Sequence, residues 1–75
     1  MNVSKLVRMA NQIAQNFDVG ERDKAVAAIA DHLTRYWTVE MKKSIVAHLN
    51  QGTTGLSELA EAAIVELSKN EAYAA

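Results

Sequence analysis

Apolar side chains recur in steps of three and four over the first seventeen residues, at Val3, Leu6, Val7, Ala10, Ile13, Ala14 and Phe17. That spacing places them on one stripe of a helix. Asn2 or Ser4 can cap its start by accepting an unpaired amide proton of the first turn. "DVGERD" (18–23) interrupts the pattern, and Gly20 is free to take a left-handed conformation there. The spacing resumes at Val26, Ile29, Ala30 and Leu33 and ends on Trp37 or Tyr36. Thr38 reads as the N-cap of a third helix, with Glu40 set favourably in its first turn. Met41, Ile45 and Leu49, with Val46 alongside, form the third stripe. "NQGTTG" (50–55) closes it, and Gly52 is the expected stop. Ser57 then caps a last helix with Glu58 and Glu61 in its first turn and a stripe of Leu56, Leu59, Ala60, Ala63, Ile64 and Leu67. The tail "SKNEAYAA" is expected to fray over about its last five residues. No stretch alternates with period two, so strands are not expected. The pattern predicts an all-α fold, a small bundle of four short helices with tight turns, in one domain over residues 1–75.

Length changes this picture by limiting the core. A chain of 75 residues buries only about 60% of its unfolded surface on folding. Below about 70–80 residues such a core rarely supplies more than ~3–5 kcal/mol without disulfides, metal or oligomerisation. Cysteine is absent, which excludes disulfides and thiolate metal sites. Stabilisation by a partner subunit, or by a homodimer of the free chain, is therefore a reasonable expectation. Apolar runs such as "AVAAIA" (25–30) are too short for a membrane helix. The opening "MNVSKLVRMANQ" lacks the ordered regions of a secretory signal. Net charge is −1, unevenly spread. Residues 1–50 carry seven basic and five acidic side chains; residues 51–75 carry Lys69 against Glu58, Glu61, Glu66 and Glu71. That is a mild dipole and no nucleic-acid footprint.

Candidate chemistry concentrates in "HLTRYWTVEMKKSIVAHL" (32–49), which holds both histidines and the tryptophan. His32 and His48, with Asp31 nearby, invite a metal reading. Zinc needs three or four ligands, usually closely spaced; these histidines stand sixteen residues apart with no HExxH or cysteine pair. Structural histidines are the expectation. The serines at 4, 44, 57 and 68 lack a GxSxG turn. A chain this small also has little room for a pocket of ~300 Å³ beside its core, so independent enzymatic activity is not expected. A DNA-reading helix should be distinctly basic. The third segment offers only Lys42, Lys43, His48 and Asn50 in a slightly acidic chain, so a small DNA-binding or regulatory helical protein is the second reading. "GTTG" (52–55) has neither the length nor the lysine of a P-loop. Protein docking fits better, because "RYW" (35–37) joins the three residue types most enriched at interface hot spots. Consecutive helical residues cannot both enter one small core, so one of the two rings should reach the surface; Trp37 taken alone reads as a core residue closing the second helix against the third.

These residues resemble the delta subunit of soluble NAD-dependent formate dehydrogenases. "KLVRMANQIAQNF" (5–17) carries the resemblance first, followed by "IADHLTRYW" (29–37), Met41, "AHL" (47–49), "GTTGL" (52–56) and "AEAAIVEL" (60–67). The chain departs from that family's pattern at "TVEM" (38–41), at Gly52-Thr53 and at Glu58, where a proline is common. The resemblance implies a noncatalytic cytoplasmic subunit that binds no cofactor itself. Its partners would be a large catalytic subunit with a molybdenum or tungsten bis-molybdopterin guanine dinucleotide centre and iron–sulfur clusters, and further subunits carrying FMN and reducing NAD. The implied task is to stabilise the catalytic subunit or help it mature. Arg8, Arg35, Tyr36, Trp37, Met41 and Lys42 are the expected docking residues.

Overall fold

A computed structural model describes residues 2–18, 20–51 and 55–69, and these form four helices: α1 (Val3–Asn16), α2 (Arg22–Tyr36), α3 (Val39–Leu49) and α4 (Glu58–Ser68). Each helix begins where a short polar side chain or an extended residue stops the preceding segment. Asn2 Oδ1 accepts from the Lys5 amide at 2.9 Å. Thr38 Oγ1 accepts from Met41 N, and Ser57 Oγ from Ala60 N, each at 3.2 Å. Of the two caps proposed for α1, Asn2 is the one used. α2 starts at extended Glu21 without a side-chain cap, after Gly20 has taken φ +99°. The expected stop at Gly52 and the last six residues of the tail lie outside the described residues.

The predicted stripes face one another. Leu6, Ala10 and Ala14 of α1 meet Ile29 and Leu33 of α2, Ile45 and Val46 of α3, and Ala60, Ala63, Ile64 and Leu67 of α4 in one buried cluster. Val7, Ile13, Phe17, Val26, Met41, Leu49, Leu56 and Leu59 pack against its edge. α4 touches all three other helices and packs most extensively on α2. The alanines at 10, 14, 60 and 63 explain how four helices fit around so few large side chains, since a methyl group lets helix backbones approach closely. Burial also takes in Ala25, one turn before Ile29 and outside the predicted stripe.

Two contacts tie the elements together beside the apolar core. The first is made by Asn11, midway along α1. Its Nδ2 donates to the Gly55 carbonyl at 3.0 Å, and its Oδ1 accepts from Ser57 N at 2.8 Å. One side chain thus pins the entrance of α4 to the middle of α1. Gly55 is held at φ +75°, with Val7 Cγ1 only 3.6 Å from where a Cβ would stand. Asn11→Ala should lower the unfolding free energy by about 1–2 kcal/mol, as two hydrogen bonds worth ~0.5–1.5 kcal/mol each are lost and a small gain in helix propensity is returned. Urea titration followed by circular dichroism measures it; an unchanged midpoint would mean that α4 is seated without the clamp.

Candidate functional site

The second contact builds the corner between α2 and α3, where most of the expected docking residues lie. α2 ends at Tyr36, and Trp37 takes an extended conformation (φ −89°, ψ 143°) before Thr38 caps α3. That break in helical geometry swings the Trp37 ring into the core, 5% exposed, and leaves Tyr36 71% exposed. One ring does reach the surface, and it is the tyrosine. From the first turn of α3, Lys42 reaches back so that its Nζ donates to the Thr34 carbonyl at 3.1 Å. Thr34 is in the last turn of α2, where carbonyls have no partner within the helix. Lys42 is 5% exposed, so its aliphatic stem fills the corner while its charge meets the negative end of α2.

The remaining residues decorate this base. Arg35 is exposed and pairs with Asp31 one turn earlier at 3.0 Å. Met41 is half-buried against the core edge. Tyr36 stacks at a tilt on His32 with ring centroids 4.8 Å apart, and His32 in turn meets Phe17, the residue that follows α1, at 5.8 Å. His32 is therefore a packing histidine that steadies the exposed tyrosine. Arg8 stands on the exposed side of α1, and among the described residues no hydrogen bond or ion pair joins it to the corner. The structure thus brings Arg35, Tyr36, Trp37, Met41 and Lys42 together, with Trp37 and Lys42 beneath the surface.

Sequence reasoning missed the packing roles of two polar residues, Lys42, which it read as a docking residue, and Asn11, which it left unassigned. Lys42 lies on the apolar stripe of α3, one turn before Ile45 and Val46, and that position signals burial of its stem. Asn11 carries a weaker signal, a poor helix former inside a run of good ones. The expectation that the chain has little room for a pocket needs correction. An open groove of about 650 Å³ lies between α1, the α1–α2 connection and the start of α4. Several of its polar side chains are already engaged: Asn11 holds Gly55 and Ser57, and Arg22 faces Glu58 at 3.7 Å. Among the described residues no group of three or more His, Cys, Asp or Glu side chains could hold a metal ion.

A family model described as the NADH-dependent formate dehydrogenase delta subunit FdsD matches residues 5–64. The chain belongs to this family. The match runs from the first turn of α1 to the middle of α4 and so includes the Asn11 clamp and the whole α2–α3 corner. No curated protein and no solved structure matches the chain. A formate dehydrogenase delta subunit is by its family a component of a larger assembly, and the resemblance carried by "VRMANQIA" (7–14) and "HLTRYW" (32–37) pointed to the same family. No helix among the described residues is long and apolar enough to cross a membrane.

Proposed function

We propose that this delta subunit is a noncatalytic component that binds the large catalytic subunit of a cytoplasmic, NAD-linked formate dehydrogenase. There it stabilises the catalytic subunit or assists its maturation. The molybdenum or tungsten bis-molybdopterin guanine dinucleotide centre, the iron–sulfur clusters, FMN and NAD belong to the partner subunits in this reading. A chain without cysteine has no thiolate for an iron–sulfur cluster. The physical mechanism is linkage: a domain that binds only the folded partner stabilises it by about 2.7 kcal/mol when present at a hundred times its Kd.

The family match carries the general reading, and exposed Tyr36 supports the placement of the docking surface. Its ring is held against His32 on a base closed by Trp37 and Lys42. A steadied aromatic loses little conformational freedom on binding, and tyrosine and arginine are characteristic hot-spot residues. Arg35 and Met41 extend the surface, and Arg8 on the exposed side of α1 is a further contact in this reading. Co-expression of the Arg35→Ala/Tyr36→Ala double variant with the catalytic subunit tests this. A hot-spot loss of about 2 kcal/mol corresponds to roughly thirty-fold weaker retention, with the helical spectrum of the free chain unchanged. Full retention of the double variant would move the docking surface elsewhere.

A further inference from the structure

Among the described residues only three large apolar side chains are exposed: Tyr36, Val39 and Val65. The first two belong to the α2–α3 corner. Val65 does not. It lies in a second open groove of about 620 Å³, formed where the first turns of α2 run beside α4. Val26 and Ala27 of α2 and Ala62 and Val65 of α4 supply its apolar lining. Its polar lining consists of Asp23, Glu58, Glu61 and Glu66 against the single basic side chain of Arg22. Arg22 faces Glu58 at one end, and Lys69 pairs with Glu66 at 3.3 Å at the other. Acidic charge therefore dominates the groove.

We propose that this groove receives a lysine- or arginine-bearing amphipathic helical segment of the catalytic subunit, which makes the delta subunit two-sided. The proposal rests on the function proposed above. Between Glu58 and Glu66 the groove follows about 12 Å of α4 at 1.5 Å per residue, the length of slightly more than two helical turns. An apolar stripe with flanking charges is what an amphipathic helix offers to such a groove. Complementary charge decides which helix: the acidic rim attracts lysine and arginine and repels phosphate-bearing or acidic partners. A nucleic acid or an anionic membrane surface is thereby disfavoured as the occupant.

The test uses the full chain and the purified catalytic subunit, with Kd measured at low and high ionic strength. Glu61→Lys/Glu66→Lys should weaken binding at least ten-fold at low ionic strength and flatten its salt dependence. Val65→Glu, an independent change in the lining, should also weaken binding at least ten-fold. Both variants should keep the helical spectrum of the parent. Binding of both with the parental Kd overturns the groove while leaving the function intact. Failure of the parent chain itself to bind overturns the function and the groove with it. A photo-cross-linker at position 65 identifies the occupant. A catalytic-subunit peptide with basic residues at three- and four-residue spacing supports the proposal, whereas an adduct with a second copy of the delta subunit overturns it.

Discussion

Trp37→Ala should leave most of the isolated chain unfolded at 25 °C. The ring is 5% exposed and belongs to the cluster that includes Leu33, Ile45 and Ile64. Truncating a buried tryptophan costs about 3–5 kcal/mol, the lost transfer energy plus the cavity left behind. A core of this size supplies about the same amount in total. Tyr36→Ala, one residue earlier but 71% exposed, should shift stability by no more than about 0.5 kcal/mol, as surface changes usually do. Urea titrations of the two variants, followed by circular dichroism, give the comparison. Equal midpoints would place both rings on the surface. The difference matters for reading binding data: lost association after Trp37→Ala reports unfolding, whereas lost association after Tyr36→Ala reports a contact.

That pair also shows what the sequence could and could not settle. The three-and-four spacing placed all four helices and nearly all of the core, because burying an apolar stripe is a local demand that the pattern states directly. It could say that consecutive aromatics must diverge and could favour Trp37 for the core, but it could not supply the geometry that turns that ring inwards. The choice depends on Trp37 leaving helical geometry at the end of α2, which a helical wheel does not represent. Lys42 was legible as a stripe position and was read instead as a surface charge; its partner carbonyl belongs to a different helix. The Asn11 clamp joins residues 44 and 46 positions apart, a pairing that no local pattern announces. The acidic groove needed two helices brought side by side. Its charges were visible as an excess of glutamate after residue 50, but their rim-like placement beside Val26 and Val65 was not.

Ile64→Ala should be the most damaging change in α4 and should be partly repaired by the partner. Ile64 is completely buried in the central cluster, on a helix that touches all the others. The expected loss is about 2–5 kcal/mol, enough to abolish a cooperative unfolding transition in the free chain. Binding to a folded partner adds about 2.7 kcal/mol at a hundred times Kd. Alpha-helical signal and amide protection should therefore return when the catalytic subunit is added in excess. Hydrogen exchange of the variant, alone and in the complex, measures both halves. If protection in α4 stays low in a complex that still forms, the delta subunit binds through the α2–α3 corner without ordering α4. That result would remove the groove beside Val65 from the interface, because a binding groove cannot be formed by a helix that remains open.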